Sequence, residues 1–128
     1  GTKLLRIAAP EFVGLAEAKL RGAPVDPAPL RAIADRLRAM PGGEAIDTLV
    51  LACTHFPLLA DELGAVFGPD VALVDGAQGI ARRIAHLVEG QDMAAALPNR
   101  FVITGPVESA AGLENALAAR GFAHAEQF

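Results

Sequence analysis

Ile46-Asp47-Thr48-Leu49-Val50-Leu51-Ala52-Cys53-Thr54-His55-Phe56-Pro57-Leu58-Leu59 runs from an apolar stretch through a thiol, a hydroxyl and an imidazole into a second apolar stretch. Ile46 to Ala52 reads as a strand buried on both faces, because a run of roughly four to eight apolar and β-branched residues suits a sheet covered by helices. Pro57 followed by Leu58-Leu59-Ala60-Asp61-Glu62-Leu63 reads as a helix, with proline near its first position and acids in its first turns. Cys53 is then expected at the carboxyl end of a strand and just before a helix N-terminus. Ligands of open α/β sheets bind at such ends, and a helix's positive pole favours a thiolate over a thiol.

Cys53 is the only cysteine in the chain. Free cysteine is among the residues most often buried, so it also reads as core filler. Thr54 and His55 weigh against that, since packing gives two polar groups no reason to follow a buried strand.

Outward from this stretch the chain alternates strand and helix signals. Lys3 to Ala8 reads as a strand and Glu11 to Leu20 as a helix rich in small residues. Asp26-Pro27 predicts an N-cap followed by proline at the first helical position, opening a helix whose apolar face is Leu30, Ile33, Leu37 and Met40 and which Pro41-Gly42-Gly43 ends. Gly68-Pro69 closes the helix after Cys53; Val71 to Val74 is a short strand and Asp75-Gly76 its turn. Ile80, Ile84, Leu87 and Val88 form the face of another helix, and Gly90 to Pro98 is a linker in which Ala94-Ala95-Ala96 extends a helical turn. Arg100 to Thr104 is the last strand and Ser109 to Arg120 the last helix. Strands separated by helices predict an α/β fold with a parallel sheet flanked by helices. Asp75-Gly76-Ala77-Gln78-Gly79 reads as a tight strand-to-helix turn, or as an anion cradle lacking the full spacing of a dinucleotide fingerprint. His86 and His124 read as helix-surface and tail residues.

At 128 residues the chain is long enough for one core. It is 52% hydrophobic, yet no apolar run approaches the roughly 18–20 residues that span a bilayer, and no signal peptide is visible. One cysteine excludes an internal disulfide, and no Cys/His cluster resembles a metal site. A net charge of −4 without basic runs argues against nucleic acid. These features agree with a soluble cytoplasmic domain with no nucleic-acid or membrane partner.

Leu51-Ala52-Cys53-Thr54-His55-Phe56-Pro57-Leu58-Leu59 strongly resembles the second cysteine motif of glutamate racemases, a cofactor-independent family that interconverts L- and D-glutamate for bacterial cell-wall synthesis. Ala9-Pro10-Glu11-Phe12-Val13-Gly14-Leu15-Ala16-Glu17 resembles the segment whose final glutamate lies in the active site. Val71-Ala72-Leu73-Val74-Asp75-Gly76-Ala77 and Phe101-Val102-Ile103-Thr104-Gly105 resemble the next strand and turn and the last strand. The matches keep the family's order and cover most of the chain. They correspond to its C-terminal half, because nothing here matches the Asp-Ser-Gly loop or the first cysteine of the N-terminal half. A start at Gly1 fits a trimmed or processed chain. The chain departs from the family at Ala9, where many relatives have cysteine, at Gly14 for proline, at Ala52 for glycine, and at Pro106-Val107 for an acid and a proline.

The resemblance implies a catalytic role for Cys53 as one of two acid/base thiols, for His55 in proton transfer at that thiol, and for Glu17 in the active site. It implies that Thr54 holds a substrate carboxylate. Read alone, His55 caps a helix or sits at the surface, Thr54 is an N-cap, and Glu17 is a solvated helix charge. The resemblance further implies an incomplete two-lobe racemase fold, with residues 1–75 in the second lobe and 76–128 returning to complete the first. Exposed edges are expected to drive a homodimer or another edge-covering association. Two other functional classes stay open: a non-catalytic α/β ligand-binding module and a structural or interaction domain.

Overall fold

The computed structural model describes residues 1–91 and 98–128, so the turn expected at Ala94-Ala95-Ala96 lies outside the described residues. Asp26 opens helix α2 (Pro27–Arg38): its Oδ1 accepts the Ala28 amide at 2.9 Å, and Pro27 takes a position where a missing N–H costs nothing. The helical repeat then puts Leu30, Ile33, Ala34 and Leu37 on one buried face. Helix α1 (Glu11–Leu20) adds Phe12 and Ala16 to the same core, and helix α3 (Ala60–Phe67) adds Leu63 and Phe67. Gly43 lets the chain turn tightly beneath α2, where a Cβ would stand 2.1 Å from the Leu37 carbonyl oxygen.

Strand β1 (Thr48–Val50) pairs in parallel with β2 (Ala72–Val74), Leu49 opposite Leu73, with α3 in the crossover. Leu49 and Leu73 pack against the helical core, while Val50 and Val74 remain 60% and 47% exposed. The strand expected over Ile46 to Ala52 is therefore shorter and covered on one face. Its apolar run reports side chains that need burial, and among the described residues only one face of the pair is closed. Lys3 to Ala8, expected as a strand, joins no ladder among the described residues, although Leu5 and Ile7 pack partly on the core. Alternating burial there came without a hydrogen-bonded neighbour.

Strand β3 (Phe101–Ile103) pairs in parallel with β4 (Ala125–Gln127), placing Val102 beside Glu126. Among the described residues the strands thus form two parallel pairs. No strand was expected at Ala125–Gln127, because Ala-Glu-Gln has no strand signature of its own and is recruited by the ladder. The helix expected over Ser109 to Arg120 is a 3₁₀ turn at Val107–Ala110 followed by the short helix α5 (Glu114–Ala118). Gly112 separates them at φ 79°, a conformation that side-chain-bearing residues rarely adopt. Phe101 meets Phe122 edge to face at 5.8 Å, and Leu117 and Ala110 are buried nearby in the chain.

Helix α4 (Ala77–Leu87) begins at the expected turn, where Asp75 Oδ1 accepts the Ala77 amide at 2.7 Å. That bond occupies an amide an anion would have used, so the tight-turn reading holds. α4 carries the expected stripe, but Ile80, Ile84 and Leu87 are 63%, 55% and 57% exposed.

Candidate active site

The Leu51 amide donates to the Val74 carbonyl at 2.8 Å and its side chain is buried, anchoring the end of β1 in the core. The main chain then turns through Cys53-Thr54-His55, closed by the Phe56 amide on the Cys53 carbonyl at 3.1 Å and the Leu58 amide on the His55 carbonyl at 3.0 Å. A 3₁₀ turn follows at Phe56–Leu59, and Leu59 is fully buried. Two buried leucines therefore hold either end of a short loop whose polar residues point outward. Cys53 and His55 are half-buried and Thr54 is exposed.

Two local expectations are corrected here. The α-helix begins only at Ala60, because Pro57 and its neighbours form the 3₁₀ turn first, so Cys53 does not abut an α-helical N-terminus. A helix's field falls off within its first turn, so α3 has little influence on the thiol. Thr54 caps nothing: neither the 3₁₀ turn nor α3 has a side-chain cap.

Helix α1 packs against the loop. It is braced on the loop by the Phe12–Phe56 edge-to-face pair at 5.4 Å and by Lys19, whose Nζ donates to the Leu58 carbonyl at 2.9 Å and to Glu62 Oε2 at 2.8 Å. Between these braces Glu17 Oε1 lies 3.7 Å from His55 Nε2, and His55 Nδ1 lies 3.9 Å from Cys53 Sγ. Residues far apart in sequence thus form one line, carboxylate to imidazole to thiol. A proton on Nε2, facing Glu17, leaves the Nδ1 lone pair free to take the thiol proton. Both separations exceed an ordinary hydrogen bond, and such contacts commonly tighten only when substrate binds. Cys53, His55 and Glu17 are brought together, with Thr54 exposed on the same loop.

Sequence reading missed Lys19 and Arg21. The signal was present, since Glu17 and Arg21 stand four residues apart on one helix, and Arg21 Nη1 lies 3.6 Å from Glu17 Oε2. A cavity of about 330 Å³ opens beyond them, lined by Lys19, Arg21, Leu58, Ala116 and Arg120. Cys53 is not among its lining residues. Among the described residues no group of three His, Cys, Asp or Glu side chains could hold a metal ion, and no helix is long and apolar enough to cross a membrane.

No family model matches the chain. A glutamate racemase of Sphingopyxis alaskensis is 56% identical over 105 residues, which is 81% of this chain and 39% of that protein. One from Shewanella pealeana is 38% identical over 95% of this chain and 46% of its own length. The crystal structure of Escherichia coli glutamate racemase, described as a complex with L-glutamate and the activator UDP-MurNAc-Ala, superposes with a TM-score of 0.79 at 38% identity, covering 93% of this chain and 45% of that one. The chain matches the C-terminal half of glutamate racemases. A second racemase structure, from Bacillus anthracis, shares the fold at a TM-score of 0.68 and 22% identity. The α/β arrangement of parallel strands and helices is that of a racemase fold fragment, and the chain spans less than half the length of the racemases it matches.

Proposed function

We propose that this chain supplies one of the two thiols of a glutamate racemase, which interconverts L- and D-glutamate without a cofactor, and that it is inactive alone. The observation that carries this reading is the line from Glu17 through His55 to Cys53, in a chain that matches a racemase over 95% of its length. Racemisation needs a base that removes the α-proton from one face of the amino acid and an acid that returns a proton to the other. A thiolate and a thiol on opposite faces exchange those roles: one is protonated as the carbanion forms, and the other becomes a thiolate as the carbanion is quenched. Cys53 serves one face. His55 accepts and returns the Cys53 proton, Glu17 orients His55, and Thr54 binds the substrate carboxylate through its hydroxyl and amide. The chain has no second cysteine to serve the other face.

Residues 1–75 belong to the second lobe and 76–128 return to the first. In support, every member of the main buried cluster, and every hydrophobic packed against it, lies at or before Leu73. Among the described residues the β1–β2 and β3–β4 pairs have no further strand on either side, and such unpaired edges favour a homodimer or another association that covers them. The role follows that of racemases generally, a cytoplasmic supply of D-glutamate for peptidoglycan. The test grafts residues 1–128 onto the part of the Sphingopyxis alaskensis racemase they do not cover and assays conversion of L- to D-glutamate. The graft should racemise glutamate, and Cys53→Ala should abolish it. Activity that survives Cys53→Ala discards the assignment, and saturable glutamate binding without turnover favours a binding module.

A further inference from the structure

We infer that Arg21 is a positioning residue for the thiol, tying the C-terminal segment to the Glu17–His55–Cys53 line; the inference rests on the reading of that line given above. Arg21 caps the C-terminus of α1, where a cation is favoured. Its Nη1 donates to the Glu17 carbonyl at 3.3 Å and lies 3.6 Å from Glu17 Oε2. Its Nη2 donates to the Ser109 carbonyl at 3.4 Å. The aliphatic stem lies over Gly112, where a Cβ would stand 3.5–3.8 Å from Arg21 carbons. One side chain therefore bridges a carbonyl of the 3₁₀ turn at Val107–Ala110 and one oxygen of Glu17, while the other oxygen of Glu17 faces His55.

Glu17 is 51% exposed, so packing alone does not choose its rotamer. An arginine four residues later restrains one oxygen and leaves the other aimed at the imidazole, and an acid preceding a base at this spacing is the favourable order. Restraint and charge act in opposite directions here. As a competing cation, Arg21 draws Glu17 away from His55; as a restraint, it holds Glu17 where His55 can use it. Glu17 Oε1 is already directed to His55 with Arg21 in place, so the restraint dominates.

The test reads the alkylation rate of Cys53 by iodoacetamide across pH 6–9 in the chain itself, for Arg21→Ala, Arg21→Lys, Glu17→Ala and the Glu17→Ala/Arg21→Ala double variant. Arg21→Ala should slow alkylation about twofold near neutrality, the size an exposed i,i+4 ion pair supplies. Arg21→Lys should restore most of the rate. The double variant should match Glu17→Ala alone, because Arg21 acts only through that carboxylate. A faster Arg21→Ala protein, or a rate loss that persists without Glu17, overturns the inference. If Glu17→Ala itself leaves alkylation unchanged, the Glu17–His55–Cys53 reading falls and this one with it. If Glu17→Ala slows the reaction and Arg21→Ala does not, only the role of Arg21 is lost.

Discussion

Leu59→Ala and Ile84→Ala remove comparable apolar side chains with opposite expected consequences. Leu59 is 0% exposed at the end of the thiol loop, inside the cluster of α1, α2 and α3. Its truncation forfeits transfer free energy and leaves a cavity between three helices, costing about 2–5 kcal/mol. Ile84 is 55% exposed, so its truncation is expected within about 0.5 kcal/mol of the parent. A domain is stable by only about 5–15 kcal/mol, so Leu59→Ala consumes a large share of the margin and loosens the loop that carries Cys53. Urea titration followed by far-ultraviolet circular dichroism separates the two, with slopes compared to confirm that the same surface unfolds. Leu59→Met, which conserves volume, should cost less than about 1.5 kcal/mol and keeps the comparison readable if the alanine variant fails to fold. Equal losses at Leu59 and Ile84 would refute the reasoning, because they would mean that the α4 stripe is buried in solution.

Asp26→Ala deprives α2 of its cap and should cost about 1 kcal/mol in thermal unfolding, with Asp26→Asn close to the parent. Gly43→Ala forces a methyl group against the Leu37 carbonyl and should lose about 1–3 kcal/mol by the same measurement. The hydrogen bond from Arg100 chiefly holds the Glu126 carboxyl below its ordinary range. A carboxyl lowered by folding stabilises above its unfolded range and loses that contribution as pH falls through the lowered value. Protection of the β3 and β4 amides against hydrogen exchange, taken relative to the intrinsic exchange rate at each pH, should therefore fall in acid, and Glu126→Gln should flatten that dependence; the pair is exposed, so the change is small and weakens with salt.

Legibility in the sequence followed the range over which each signal acts. Asp26-Pro27 and the Leu30, Ile33, Leu37 repeat are local instructions, and α2 forms where they say. α1 spans the expected Glu11 to Leu20. The apolar run before Cys53 gave the strand but not its partners, since a run of valine and leucine states a need for burial without saying what will meet it. β4 shows the converse, because Ala125-Glu126-Gln127 becomes a strand only through its pairing with β3. The thiol loop was legible as a polar break between two apolar runs from residue types alone. Its geometry was not: the placement of Glu17 against His55 depends on the Phe12–Phe56 contact and on Lys19 reaching Leu58 and Glu62, which link residues distant in sequence. The absence of a cap at Thr54 likewise follows from the 3₁₀ geometry around Pro57.

The central claim is that this chain carries one thiol for one face of glutamate. Exchange of the α-hydrogen in deuterium oxide, followed by proton NMR for L-glutamate and D-glutamate separately, tests it most directly. The account predicts that the 128-residue chain interconverts neither enantiomer and exchanges at most one of them slowly, with Cys53→Ala abolishing that exchange. Rapid exchange of both enantiomers by the chain alone, or exchange that persists in Cys53→Ala, would contradict it.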